Sequence, residues 1–85
     1  MGLSQSEYNL PKYNYNDVMG HNNENDCWII VDGYVYDVTL FLRKHKTGPN
    51  IILKHAGTDC STYFKIHSSG ARTILKQYLV GSIRS

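Results

Sequence analysis

Cys27-Trp28-Ile29-Ile30-Val31 is the longest apolar run in the chain, and Asp32-Gly33 follows it directly. Both turn residues tolerate positive φ, which the tightest hairpin turns require. Tyr34-Val35-Tyr36-Asp37-Val38 then returns as the partner strand. Consecutive β-branched and aromatic residues predict a central strand covered on both faces. A hairpin of this kind needs a cover for each face, and the rest of the chain is short. With 85 residues, it can bury only about 60% of its unfolded surface, so the core needs reinforcement. Two cysteines cannot build a disulfide scaffold, which leaves a metal, a cofactor or a partner. A cofactor is the expected reinforcement.

Residues 1–11 read as a flexible polar lead-in ending at Pro11, and residues 12–85 as one domain. Tyr13 is expected in a short edge strand. Asn14 or Asn16 offers a cap to a short helix through Val18 that stops near Gly20. His21 to Asp26 reads as a loop, because short polar side chains compete for the backbone's hydrogen bonds. After the hairpin the pattern turns helical. Thr39 is expected to cap a helix running to His45, Asn50 a second from Ile51 to His55, and Thr58-Asp59 a third through Phe64. Ser68-Ser69 is expected to cap a fourth, in which Ala71, Ile74, Leu75 and Tyr78 follow helical spacing. Leu79 to Ile83 runs extended again. The fold class is therefore α+β: a small mixed β-sheet with two helical hairpins.

Charge divides the chain. From Met1 to Leu42 six acids face Lys12 alone, and from Arg43 to Ser85 eight bases face Asp59 alone. The bases are scattered singly through helical patterns, with no Arg-rich tract and no stacking platform among them, so no nucleic-acid partner is expected. A solvated basic face is one reading of them, and a steering surface for an anionic partner is the other. No stretch approaches the roughly 20 apolar residues of a membrane span, and the N-terminus lacks the apolar core of a secretory signal.

Of the four histidines, His45 and His67 end short helical patterns behind apolar and aromatic residues, Phe41-Leu42 and Phe64-Lys65-Ile66. Two imidazoles on opposite walls of an apolar slot suit haem iron, whose axial sites lie on opposite faces of a flat ring. Zinc wants closely spaced ligand pairs, and neither C-x-x-C nor H-x₃-H occurs. Spacing alone leaves a third reading open, in which these are ordinary surface histidines. His55 is expected to be exposed, and His21 has no evident partner in sequence.

The order of these residues narrows the choice. Cys27-Trp28-Ile29-Ile30, Gly33 to Phe41, His45, Gly48, Ala56-Gly57-Thr58-Asp59, Phe64, His67-Ser68 and Tyr78-Leu79-Val80-Gly81 together resemble a cytochrome b5-type haem-binding domain over about Tyr13 to Ile83. The 22-position separation of His45 and His67 and the triplet Ile66-His67-Ser68 look most like the haem domains fused to nitrate reductase and flavocytochromes. The resemblance implies a two-hairpin cradle for one non-covalent haem b, with His45 and His67 as axial metal ligands. By position it implies a pocket of Val31, Val38, Phe41, Ile51, Ile52, Phe64, Ile66, Ala71, Ile74 and Tyr78, with Ser68 on a propionate. It further implies a one-electron carrier rather than an enzyme. Electrons would come from a flavin-dependent reductase and pass to an acceptor oxidoreductase such as a desaturase or hydroxylase. A haem-binding sensor or interaction module is the alternative.

One departure from the family pattern is informative. Its His-Pro-Gly-Gly turn reads His45-Lys46-Thr47-Gly48 here, with Pro49 one residue late. The turn is then less constrained, and Lys46 adds a positive charge beside the expected ligand, which disfavours ferric iron and raises the expected potential. Cys27 and Cys60, placed in a strand and a helix, are expected to be buried free thiols in a reducing, cytoplasmic compartment. No C-x-x-C-H attaches haem covalently. The domain is expected to be a soluble monomer without a transmembrane anchor. Met1-Gly2-Leu3-Ser4-Gln5-Ser6 fits the N-myristoylation pattern, although no basic cluster supplies a second membrane signal.

Overall fold

A computed structural model describes residues 10–44, 49–67 and 70–84, and the side chains of 49–51, 65–67, 71 and 72 lie outside the described set. Among these residues, five strands form one mixed sheet: β1 (Lys12–Tyr13), β2 (Asn22–Asn23), β3 (Asp26–Val31), β4 (Tyr34–Asp37) and β5 (Leu79–Ile83), in the order β1-β5-β4-β3-β2. β1 pairs with β5 in parallel, and the other pairs are antiparallel. The β3–β4 hairpin closes on Asp32 (φ 52°) and Gly33 (φ 84°), as its turn residues require. The register of β4 on β5 slips by one residue at Val35/Tyr36. Residues 21–26 are more than a loop, because Asn22 and Asn23 pair with Cys27 and Asp26.

Side chains alternate across β3, and the alternation separates two cores. Cys27, Ile29 and Val31 join Val38, Leu42, Ile52, Phe64 and Leu75 on the helical side. Ile30 joins Val18 and Val35 on the other side, flanked by Tyr13, Trp28 and Ile83. Ile29, Ile30, Val18, Val35 and Val38 are fully buried, each contributing about 1.5–3 kcal/mol relative to an exposed side chain.

Among the described residues, five short helices accompany the sheet: α1 (Tyr15–Met19), α2 (Thr39–Lys44), α3 (Pro49–Lys54), α4 (Ser61–His67) and α5 (Ala71–Leu75), the last running into a 3-10 turn at Lys76–Tyr78. Asn14, not Asn16, caps α1: its Oδ1 accepts from Asp17 N–H at 2.8 Å, and Asp17 Oδ2 accepts from Asn14 N–H at 3.0 Å. Several expected caps shift. Thr39 is the first residue of α2, and Val38 takes the cap position, its carbonyl accepting from Leu42 N–H. The Thr39 hydroxyl instead donates to Asp37 Oδ1 and accepts from Cys27 N–H at 2.9 Å, stitching α2 to β3. Asn50 lies inside α3, because Pro49 opens that helix with a φ already preset. Cys60 precedes α4 and its carbonyl accepts from Phe64 N–H, so it is a cap rather than a helical residue. Gly70 occupies the cap position of α5 without a side-chain bond, and Ser68 and Ser69 lie outside the described residues.

The stretch after α3 attaches the helical layer to the sheet. Trp28 C=O accepts from Gly57 N–H at 2.7 Å, Ile30 N–H donates to Thr58 C=O, and Ile30 C=O accepts from Cys60 N–H at 2.7 Å. These bonds occupy the outer edge of β3 beyond β2. Gly57 has φ 78°, and a Cβ there would lie 3.1 Å from Met19 O. The glycine that ends α3 thus also lets the chain pass tightly against α1.

Candidate functional site: an apolar cavity among four helices

Each of the four helices following β4 contributes to one apolar cavity. Phe41 comes from α2, Ile52 from α3, Phe64 from α4, and Ile74 with Leu75 from α5, around about 220 Å³ of space, part of which is open solvent. Ile52 (7% exposed) and Phe64 (3%) are set in the helical-side core, so the inner wall is fixed by packing. Ile74 is 40% exposed while lining the same cavity, which places the cavity's opening beside it. The Phe41 ring meets the half-buried Tyr78 ring edge-on at 6.1 Å, and Tyr63 packs edge-on against Phe64 at 5.3 Å.

The residues expected in a haem pocket fall into three groups. Phe41, Ile52, Phe64 and Ile74 line the cavity, with Tyr78 against Phe41. Val31 and Val38 lie deeper, in the core beneath it. Ile51, Ile66 and Ala71 belong to α3, α4 and α5, but their side chains, like all of Ser68, lie outside the described set. Leu75 lines the cavity and was not expected there; its place in the series Ala71, Ile74, Leu75, Tyr78 was the available signal. His67 is the last residue of α4, one helical turn beyond Phe64. His45 directly follows Lys44, where α2 ends, and lies with 46–48 outside the described residues.

The described lining carries no polar side chain, which is the surface the apolar faces of a porphyrin require, so these residues fit the group. Among the described residues no three His, Cys, Asp or Glu side chains gather in a metal-holding group.

The other titratable groups lie elsewhere. His21 does have partners: Nδ1 is 2.7 Å from Asp26 Oδ1, and the imidazole lies flat on Trp28 at 3.8 Å. His55 is half-buried rather than exposed, its ring 6.2 Å from that of Tyr63. Cys27 and Cys60 are buried and free. Burial, then Asp37 and Asp26, pushes the Cys27 thiol up to about 11; burial, then Asp59 and Cys27, pushes Cys60 up to about 12. Among the described residues no helix is long and apolar enough to cross a membrane.

Residues 14–84 match the family model described as cytochrome b5-like heme/steroid binding domain. Nitrate reductase [NADH] 1 of Phaseolus vulgaris is 46% identical over 72 residues, which are 84% of this chain and 8% of that protein. Cytochrome b5 of Borago officinalis is 45% identical over 71 residues, 81% of this chain and 54% of that protein. The chain thus spans a small part of its nitrate reductase relatives and about half of the borage protein. Among solved structures, cytochrome b558 of Ectothiorhodospira vacuolata, described as a prokaryotic homologue of cytochrome b5, superposes with a TM-score of 0.75 at 28% identity, over 86% of this chain and 98% of that one. Cytochrome b5 of Ostreococcus tauri virus 2 gives 0.74 at 29% identity, over 85% and 95%. The chain belongs to the cytochrome b5-like haem-binding domain family, whose cofactor is haem b held without covalent attachment.

Proposed function

We propose that this domain carries single electrons on a haem b clamped between His45 and His67. The apolar cavity shared by α2, α3, α4 and α5 supports this reading, because His67 is the last residue of α4 and His45 follows the last residue of α2 in sequence. Bound haem b supplies a one-electron couple between ferric and ferrous iron. The chain's own residues do the rest. His45 and His67 would hold the iron and leave oxygen no place to bind. Phe41, Ile52, Phe64, Ile74 and Leu75 would exclude water from the group, with Ile51, Ile66 and Ala71 expected to add to that wall and Val31, Val38 and Tyr78 to support it. Ser68 would hold a carboxylate of the group. Lys46, next to His45, raises the potential, so Lys46→Glu lowers the midpoint in a spectroelectrochemical titration.

Cytochrome b5 domains work with reductases and oxidoreductases, both as separate carriers and as one domain of larger enzymes such as the nitrate reductases matched here. The donor for this chain is a flavin-dependent reductase, and the acceptor an oxidoreductase such as a desaturase or hydroxylase. Buried free thiols at Cys27 and Cys60 support a reducing, cytoplasmic setting. Residues 1–9, with the Gly2 acylation pattern, lie outside the described structure, and mass spectrometry of protein made in a eukaryotic host tests that modification.

The family description also names steroids, but a steroid needs no pair of imidazoles at the helix ends. An absorption spectrum of the haem-reconstituted protein, before and after dithionite and with carbon monoxide added, tests the reading. A low-spin six-coordinate spectrum indifferent to carbon monoxide is expected. A high-spin form, or ready carbon monoxide binding, would put the sensor reading ahead.

A further inference from the structure

A nine-residue pattern, D-x-[S/T]-x-[F/Y]-[L/F]-[R/K]-x-H, occurs twice in the chain, at 37–45 and at 59–67. The first copy leads into α2 and the second into α4. Each contains one cavity-lining phenylalanine, Phe41 or Phe64, and each ends at one of the two expected iron ligands.

The two copies make the same hydrogen bonds. Before α2, Asp37 Oδ1 accepts from Thr39 N–H at 3.1 Å and from the Thr39 hydroxyl at 2.6 Å, and that hydroxyl accepts from Cys27 N–H at 2.9 Å. Before α4, Asp59 Oδ1 accepts from Ser61 N–H at 2.8 Å and from the Ser61 hydroxyl, which accepts from Asp32 N–H at 2.7 Å. Cys27 lies near the start of β3, and Asp32 follows its last residue.

Both arrangements replace an acceptor that a helix has taken. Val38 N–H donates to Cys27 C=O, so an antiparallel ladder would return Cys27 N–H to Val38 C=O. That carbonyl instead accepts from Leu42 N–H inside α2, and the Thr39 hydroxyl receives Cys27 N–H. Cys60 N–H donates to Ile30 C=O beside a parallel bridge, so the next rung would join Asp32 N–H to Cys60 C=O. Cys60 C=O accepts from Phe64 N–H inside α4, and the Ser61 hydroxyl receives Asp32 N–H. In each copy the carboxylate holds the hydroxyl, and the hydroxyl ties the first turn of the helix to one end of β3.

We propose that Asp37 with Thr39, and Asp59 with Ser61, are paired positioning groups for the cofactor. Each pair fixes the start of a helix whose histidine stands six positions past the hydroxyl residue. The inference rests on the haem-carrier reading and assigns these four residues a part in it. The pairs are unequal in strength. Cys27 is fully buried and Asp32 is exposed, so water can replace the Ser61 hydroxyl but not that of Thr39.

The test uses Thr39→Val, Thr39→Ser and Ser61→Ala in the full chain. Asn14→Ala, which removes the cap of α1 beside the other core, controls for lost stability alone. In the haem-reconstituted protein, Thr39→Val should lose haem to apomyoglobin about tenfold faster than wild type, and Ser61→Ala about threefold faster. Thr39→Val should also show a high-spin ferric fraction. Thr39→Ser, which keeps the hydroxyl, and Asn14→Ala should stay within about twofold of wild type. A wild-type rate and spectrum in Thr39→Val, or an equal loss in Asn14→Ala, would overturn the proposal. Should Thr39→Val not fold, a wild-type rate in Ser61→Ala overturns it from the exposed pair.

Hydrogen exchange in the apo proteins needs no haem. Thr39→Val should speed exchange at Leu42, and Ser61→Ala at Phe64, with neither change reaching the other helix. Unchanged exchange at both amides also overturns the proposal. A wild-type protein that takes up no low-spin haem defeats the carrier reading instead, and exchange at Leu42 and Phe64 still decides whether the pairs fix their helices.

Discussion

Cys60 N–H donates to Ile30 C=O across 2.7 Å, and this backbone bond joins the start of α4 to β3, the first strand of the buried hairpin. Ile30 is in turn paired with Val35, so Cys60 is anchored to the sheet. The cavity-lining helices are short, and α3 and α5 both contribute to its wall.

Hydrogen exchange should therefore divide the molecule at Cys60. Removing haem takes away the ligand that stabilises the native cradle, while the hairpin keeps its own ladder and both cores. Amides of Ile30, Val35 and Cys60 should keep their protection in the apo protein, and those of α3 and α5 should lose much of theirs. Equal protection in apo and holo forms would contradict this division.

Three glycines separate backbone strain from crowding. Gly33 has φ 84° and open space where a Cβ would go, so Gly33→Ala should lose only the left-handed penalty, about 1–2 kcal/mol. Gly57 adds contacts of 3.1–3.2 Å with Met19 and Asn22, and Gly57→Ala should be clearly worse. A Cβ on Gly81 would collide with the Tyr13 ring and lie 2.7 Å from Pro11 O, so Gly81→Ala should displace β1 from β5. Thermal midpoints give the order, at about 4–8 °C per kcal/mol for a domain of this size. A Gly57→Ala midpoint equal to that of Gly33→Ala would show that α1 yields freely.

The two thiols predict a loss of stability in alkali. Their folded values, about 11 and about 12, lie above the ordinary 9.0, so the unfolded chain ionises first as pH rises. Well below pH 9 both states keep the proton and these groups impose no pH dependence. Between about pH 9 and 11 the unfolded state binds fewer protons, and stability falls with pH. Cys60→Ala should flatten the slope of stability between pH 8.5 and 10.5 relative to wild type, measured by urea unfolding. An unchanged slope would assign the alkaline loss to other groups.

The sheet was legible in the sequence because its signals are local. Asp32-Gly33 specifies a turn, and an uninterrupted run at 27–31 specifies a strand covered on both sides, which the two cores bear out. The helix starts were less legible, because a cap depends on which of several neighbouring polar residues meets the free amides. Asp37 lies outside α2 yet receives Thr39 N–H, a competition that spacing does not decide. His21 was misjudged for a related reason. Its stacking on Trp28 and its bond to Asp26 form only once β2 folds back onto β3. Within the cavity, Phe41, Ile52, Phe64 and Ile74 were legible by family position. Leu75 was legible only as helical periodicity, which cannot tell core from pocket.

Core and pocket can be told apart by pairing Phe64 with Ile74. Phe64 is 3% exposed and belongs to the helical-side core as well as the cavity wall. Phe64→Ala should remove about 3–5 kcal/mol of stability with or without haem, because the truncated ring leaves a void among fixed neighbours. Ile74 lines the same cavity at 40% exposure, so its truncation leaves little buried void. Ile74→Ala should change the apo midpoint by no more than about 2–3 °C, an effect within about 0.5 kcal/mol. Its consequence should appear only with the cofactor, as faster loss of haem to an apomyoglobin scavenger. A variant that retains haem like wild type would remove Ile74 from the pocket; one that unfolds like Phe64→Ala would make it core.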